Sequence, residues 1–296
     1  CFIKDALEES IETIIEMAEY KKTGSCKVLV VTGCMAQRYK NEIIEEVPEV
    51  DAVLGTTSYG DILKAIREAM EGKHFQEFKD IDYLPEKLGK RVLTTGGHFG
   101  YLKIAEGCDK HCTYCIIPKL RGKFRSVPME RLVTQAKEMA EEGVKELILV
   151  AQETTVYGTD IYGKKSLHIL LKELCKIKGI RWIRVLYCYP EEIYDELIQT
   201  MKEEKKICHY LDLPIQHASD RILKRMGRRT TQAELVEIVN KLRREIPDIV
   251  LRTTLISGFP GETQEDHEEL MGFVDEMEFG SKNSIAYVVE VAGKKM

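Results

Sequence analysis

Nowhere in the 296 residues is there a run approaching the ~18 consecutive apolar residues that a membrane-spanning helix requires. Nor does the N-terminus, CFIKDALEES, carry the basic flank and apolar core of a secretory signal. Together these absences argue against export and against a membrane partner, and nine cysteines that read as reduced thiols place the chain in the cytoplasm. An excess of positive charge is missing too: 44 Lys and Arg stand against 49 Asp and Glu, a formal net charge of −5. Nucleic acid would therefore have to be met by a local patch. Residues 119–125 (KLRGKFR) and 221–229 (RILKRMGRR) are the candidates, and each reads equally well as a solvated basic face. An initial Met is also lacking. Cys1 runs straight into the helical pattern DALEESIETIIEMAEY, so a strand and turn are expected before it and the chain reads as a fragment.

What is present is a 44% hydrophobic chain, long enough for one large domain or two ordinary ones. Helical patterns at 5–20, 37–46 and 59–70 alternate with apolar runs at 27–33 and 50–55, which implies a parallel sheet. The stretch 71–100 is charged and broken by Pro85 and a TTGGHFG turn. Gly96, Gly97 and Gly100 make a poor dinucleotide fingerprint because no helix follows them. A linker at 78–100 thus divides an N-terminal domain, 1–77, from a second domain, 101–296. In the second, strand candidates fall at 101–107, 146–152, 182–189, 210–216 and 250–258, with a sixth near 284–289. The expected fold is α/β: an incomplete N-terminal parallel-sheet α/β domain followed by a partial (β/α)6 barrel. Several strands end in Gln152, Glu153, Gln216, His217, Ser257 or Gly258. The C-terminal strand ends of such barrels build the active site.

Nine cysteines, three of them crowded into eight positions, look like reduced thiols kept for a metal. The loop EGCDKHCTYCIIP places Cys108, Cys112 and Cys115 in a CxxxCxxC spacing just beyond a strand. Thiolates are the ligands of iron–sulfur clusters, and three ligands for four irons leave one iron open. That position suits the amino and carboxylate groups of S-adenosylmethionine (AdoMet), whose sulfonium one electron would cleave to a 5′-deoxyadenosyl radical. Tyr114 would offer its ring to the adenine. The alternative is a structural zinc site with His111 or His98 as fourth ligand, although zinc cysteines usually come as CxxC doublets. Cys26, Cys175, Cys188 and Cys208 have no partner spacing and read as ordinary buried or half-buried thiols.

With these residues the sequence resembles the radical AdoMet superfamily, and more narrowly its methylthiotransferases. VTGCMAQRY (31–39) and CFIKDALEES are similar to their N-terminal domain. YLKIAEGCDKHCTYCIIPKLRGKFRS, LVAQETTVYG, LPIQHAS and ISGFPGE are similar to their barrel. The resemblance implies two 4Fe-4S clusters, AdoMet, and an electron donor of the flavodoxin or ferredoxin type. It implies Cys108, Cys112 and Cys115 on the barrel cluster, and Cys34 as one of three ligands of an N-terminal cluster. The other two would lie before residue 1, which makes Cys1 the neighbour of a ligand. Without the resemblance, Cys34 reads as a small buried residue. Gln152 and Glu153 would hold the methionine part of AdoMet, Gln216 and His217 would line its cavity, and the segment of Ile256, Ser257 and Gly258 would run past the adenine. A cap, a structural histidine and a simple turn are the plain alternatives for these three groups. Arg228 and Arg229 are possible carboxylate clamps.

Two substrate groups divide the family: an aspartate of ribosomal protein S twelve (the group called RimO) and an adenosine of tRNA (the group called MiaB). Tyr-Cys-Tyr-Pro at 187–190, KLRGKFRS and VAQETTVYGTDIYGKKSL resemble the ribosomal-protein group. The expected reaction is transfer of a methylthio group to the β-carbon of that aspartate, with tRNA as the alternative substrate. After residue 279 the chain departs from the family pattern, where a further strand and a small β-barrel module would follow.

Overall fold

The computed structural model describes residues 4–84, 92–94, 96–279 and 284–290, so Cys1, Pro85 and residues 291–296 lie outside it. The chain divides into two units. One comprises Cys1–Arg91 with Gly107–Asp109 and Cys115–Lys123; the other comprises Val92–Glu106, Lys110–Tyr114 and Phe124–Met296.

The first unit runs α1 (Lys4–Thr23), β1 (Val30–Thr32), α2 (Cys34–Tyr39), α3 (Glu42–Glu46), β2 (Ala52–Leu54), α4 (Ile62–Met70) and β3 (Phe75–Glu77), with α5 (Ile117–Arg121) added from further along the chain. Its sheet has the order β1-β2-β3, all parallel. Side chains alternate between faces along a strand. Val53 accordingly packs with Ile14, Val31, Met35 and Ile43, whereas Ala52 and Leu54 pack with Ala65 on the other side. A strand covered on both faces reads as a continuous apolar run, as AVL does. The single helix expected at 37–46 is two. Lys40 takes a left-handed φ of 44° between them, a conformation that ends helices. β3 falls in the charged stretch, where HFQEF is too polar to signal a strand.

The second unit holds β4 (Phe99–Lys103), β5 (Ala105–Glu106), β6 (Arg125–Ser126), α6 (Met129–Glu141), β7 (Glu146–Val150), α7 (Thr159–Tyr162), α8 (Leu167–Cys175), β8 (Trp182–Val185), α9 (Asp195–Glu203), β9 (Ile207–Asp212), α10 (Asp220–Arg225), α11 (Gln232–Glu245), β10 (Val250–Ser257), α12 (Gln264–Glu276) and β11 (Ser284–Glu290). Six strands form one parallel sheet in the order β4-β7-β8-β9-β10-β11, the sequential winding of an open partial barrel. The fold is thus the α/β arrangement expected, its sixth strand included. The first barrel strand begins at Phe99 rather than residue 101 and hands over at Ile104. The Ile104 amide donates to the Val150 carbonyl at 3.0 Å, while its own carbonyl accepts from the Val127 amide at 2.9 Å. β5 then pairs antiparallel with β6. β9 stops at Asp212, short of the expected 216, because Pro214 has no amide to donate to a ladder. Gln216 rejoins the sheet by a single bridge to Leu255.

Leu147 and Leu149 on β7 are fully buried, and capping boxes start α11 (Thr231, Glu234) and α12 (Thr263, Asp266). Leu149→Ala should lower the unfolding free energy by about 2–5 kcal/mol through lost burial and the cavity left behind. Thr263→Ala should cost about 1 kcal/mol through loss of one cap. Urea denaturation, read as midpoint shifts at constant slope, checks both values and their order.

Candidate active site

The loop after β5 depends on two left-handed residues. Gly107 has φ +77°, and a Cβ there would collide with the Lys123 carbonyl oxygen; His111 has φ 52°. The Cys108 amide donates to the Gly122 carbonyl at 3.2 Å. The Thr113 amide and hydroxyl donate to the Met226 and Arg225 carbonyls at 2.9 and 3.0 Å. Cys108 and Cys112 are buried, Cys115 is half-buried, and none of the three is in a disulfide. Among the described residues no three Cys, His, Asp or Glu side chains form a set for a single metal ion. In a four-iron cluster each thiolate takes a different iron, so such ligands need not share one centre. The Cys112 sulfur lies 3.6 Å from the Tyr189 hydroxyl.

Beyond β7 stand Gln152 and Glu153. Glu153 is buried; its Oε1 accepts from the Thr155 amide at 2.8 Å and from the Thr155 hydroxyl. Its Oε2 has no hydrogen-bond partner, nor does the buried Oε1 of Gln152. Burial, opposed by the Thr155 hydrogen bonds and Lys110, pushes the Glu153 carboxyl up to about 7. Beyond β9, Gln216 adopts φ 75°, and His217 is buried with its Nδ1 accepting from the Ser219 amide at 3.0 Å. That bond leaves the proton of the neutral ring on Nε2, 3.6 Å from Glu262 Oε1 and without a hydrogen-bond partner. Burial lowers the His217 pKa, which keeps the ring neutral. Ile256, near the end of β10, packs with Ile222, Met226, Phe259 and Tyr114, so two residues assigned to the adenine share one apolar cluster. Gly258 follows with φ 75°.

Residue 228 departs most from the sequence reading. The Arg228 side chain is only 1% exposed, its guanidinium stacked 4.3 Å over the Tyr189 ring. Nη2 donates to the Pro214 carbonyl at 3.2 Å and to Glu191 at 3.3 Å, while Nε and Nη1 are buried without partners. The segment 221–229 is therefore not a solvated basic face throughout, although Arg221, which pairs with Asp266, is exposed. Tyr189, Thr155 and the Lys110–Glu192 ion pair were missed; the Tyr-Cys-Tyr-Pro segment carried the only signal for any of them. In the first unit, Cys34 heads α2, half-buried, and accepts from Arg121 Nε at 3.2 Å. Among the remaining cysteines, Cys188 is buried, and Cys26, Cys175 and Cys208 are half-buried.

On segments that follow barrel strands β7 and β9, buried atoms without hydrogen-bond partners include acceptors (Gln152 Oε1, Glu153 Oε2) and donors (His217 Nε2, Arg228 Nε and Nη1). Each costs about 1–3 kcal/mol if nothing satisfies it. A polar ligand bearing both donors and acceptors matches the chemistry of this set, as AdoMet does, and thiols are the donor type that an iron–sulfur cluster takes. The profile described as the radical SAM superfamily matches residues 102–274. This chain belongs to the radical SAM superfamily. A second profile, described as uncharacterized protein family UPF0004, matches residues 1–55.

The radical SAM assignment is accompanied by closer likenesses. The chain is 66% identical over 98% of its length to a protein of Lachnoclostridium phytofermentans, and 51% identical over 97% to one of Clostridioides difficile; both are named ribosomal protein uS12 methylthiotransferase RimO. A relative of the same name from Clostridium botulinum is 55% identical over 93% of the chain. The chain spans 62–66% of the length of these relatives. The likeness to methylthiotransferases read from the motifs agrees with these names. Among solved structures, the cobalamin-dependent radical enzyme OxsB aligns over 97% of this chain and 43% of its own, with a TM-score of 0.59 at 14% identity. The methyltransferase TsrM of Kitasatospora setae aligns over 65% of this chain and 35% of its own, with a TM-score of 0.53 at 16% identity. These two speak for the fold alone.

Because the Glu153 carboxyl is raised from its ordinary 4.5 to about 7 in the folded state, folding favours its protonated form. That contribution is complete below about pH 4.5 and is lost as pH rises through 7. Glu153→Gln should therefore gain stability relative to the unaltered chain between pH 5 and 8, on the order of 3 kcal/mol in all. Denaturation midpoints of both proteins across that range are the check, and parallel profiles would contradict the assignment.

Proposed function

We propose that the chain carries the radical-generating barrel of a methylthiotransferase of the RimO type, acting on the β-carbon of an aspartate in ribosomal protein uS12. Two observations support the reading: the CxxxCxxC loop that follows β5, and the buried polar atoms without partners on segments that follow β7 and β9. Cys108, Cys112 and Cys115 would hold a 4Fe-4S cluster. Gln152 and Glu153 would receive the amino-acid part of AdoMet, and Gln216 and His217 would line its cavity. Tyr114, Ile256 and Gly258 would border its adenine. When bound, cluster and AdoMet supply a 5′-deoxyadenosyl radical, which an unactivated C–H bond requires because no side-chain base deprotonates such a carbon at useful rates.

The residues themselves bind, orient and exclude water. Neutral His217 would donate to a ligand from Nε2 without adding charge, and Arg228 brings a fixed cation into a buried position. Glu153 is poised to ionise near neutrality, so an ammonium group beside it would favour the carboxylate. Cys34 would ligate a second 4Fe-4S cluster as one of its thiolates. An electron donor of flavodoxin or ferredoxin type and a cytoplasmic location complete the reading.

After anaerobic reconstitution, the chain should hold a four-iron cluster on these thiols and release 5′-deoxyadenosine from AdoMet on reduction. A variant with Cys108, Cys112 and Cys115 all changed to Ala should do neither. Continued 5′-deoxyadenosine formation by that variant would defeat the reading. Mass spectrometry of uS12 from cells with and without the gene should find the methylthio mark only in the former. A mark on tRNA instead would move the substrate to the MiaB type.

A further inference from the structure

Tyr189 is fixed more firmly than a half-buried tyrosine needs to be. It directly precedes a 3-10 turn, Pro190–Glu192, and the Glu192 amide donates back to the Tyr189 carbonyl at 3.0 Å. The turn supplies two consecutive carboxylates, and each holds a cation against the ring. Arg228 pairs with Glu191 at 3.3 Å and stacks 4.3 Å from the ring centroid. Lys110 pairs with Glu192 and lies 5.1 Å from the same centroid. Cations over an aromatic face are each worth about 0.5–2 kcal/mol, more as the pair is withdrawn from water, and Arg228 is almost wholly withdrawn. Ring, turn and cations form one clamp, and the atom it aims is the Tyr189 hydroxyl, 3.6 Å from the Cys112 sulfur.

Between a neutral thiol and a hydroxyl, either group can donate. A metal-bound thiolate has no proton, so there the tyrosine must be the donor. We propose that Tyr189 is a positioning residue for the barrel cluster, donating a hydrogen bond to the Cys112 thiolate and so raising the cluster's reduction potential. Hydrogen bonds to cluster sulfurs draw off electron density and favour the more negative, reduced state. The Arg228 charge acts in the same direction, in a buried setting where screening is weak. The inference rests on the cluster reading above and adds a role for a residue that the ligand spacing does not indicate. In the Tyr-Cys-Tyr-Pro segment it is the second tyrosine that takes this role, whereas Tyr187 is exposed with φ 58°.

The test is an EPR-monitored redox titration of the reconstituted protein and of Tyr189→Phe, with iron content and thermal midpoint measured alongside. The variant should keep its iron and midpoint while its ratio of reduced to oxidised cluster at a fixed poise falls about tenfold, a negative shift of about 59 mV for a one-electron couple. AdoMet cleavage should slow with a weak reductant and recover with a stronger one. Resonance Raman spectra of the unaltered protein in light and heavy water add a readout that no misfolded variant can confuse. A proton on the Cys112 sulfur contact should shift an iron–sulfur stretch on deuteration, and Tyr189→Phe should remove that shift. An intact cluster with an unmoved potential in Tyr189→Phe overturns the proposal. So does an unaltered protein with no deuterium-sensitive stretch, which decides the case if the variant loses iron. Failure of the unaltered chain to assemble any cluster would instead sink the functional reading, and this proposal with it.

Discussion

Six strands running the same way in sequential order leave all their carboxyl ends on one edge of the sheet, and the site depends on that constraint. A parallel ladder needs a crossover between neighbouring strands, so each strand end must release the chain into a loop on the same side. The releases are visible one by one. Ile104 splits its hydrogen bonds between Val150 on β7 and Val127 just past β6, Pro214 stops β9, and Tyr187 and Gln216 turn left-handed just past their strands. Left-handed conformations cost an L-residue something like 1–3 kcal/mol and persist where the surroundings over-determine them. Here they aim side chains that a regular strand would point elsewhere.

The second constraint is electrostatic. A buried guanidinium and a buried carboxyl on one sheet edge are costly unless something answers them, and the chain answers each only in part. Glu153 binds Thr155 through one oxygen and leaves the other empty-handed; Arg228 uses one nitrogen on Glu191 and Pro214 and leaves two. An apolar residue at either position would be the more stabilising choice for an isolated fold, since desolvating a charge outweighs a single ion pair. Retaining both is consistent with polar capacity kept for a ligand, and it favours one carrying charges of both signs over a purely apolar one.

Much of this was legible in the sequence, for reasons that differ by residue. The strands β7 and β10 show as apolar runs ended by Gln152 and Ser257, and the cysteine loop shows as a spacing, because both signals are local. β3 did not show, because HFQEF draws its place in the sheet from its neighbour β2 rather than from its own composition. The split at Lys40 is a backbone event with no residue signature, since lysine does not ordinarily mark a left-handed turn. Arg228 is the instructive miss. In RILKRMGRR it looks like its neighbours, and only the tertiary structure separates a guanidinium folded over Tyr189 from one facing water.

That separation bears on the substrate. A run of four arginines and a lysine within nine residues would suggest a phosphate-binding stripe if all were in solvent. Arg228 is committed internally to Glu191 and Tyr189, and Arg221, though exposed, has its charge paired with Asp266 at the start of α12. The Arg221 guanidinium, followed by hydrogen bonds from Ser219 and Thr263, holds the Asp266 carboxyl well below the usual carboxylate range, so that pair stays charged and closed across neutral pH. Charge spent on internal pairs contributes little to the long-range field that draws a polyanion. On a chain whose net charge is already −5, the remaining cations of this segment make a weak footprint for RNA, and a protein substrate needs no such footprint.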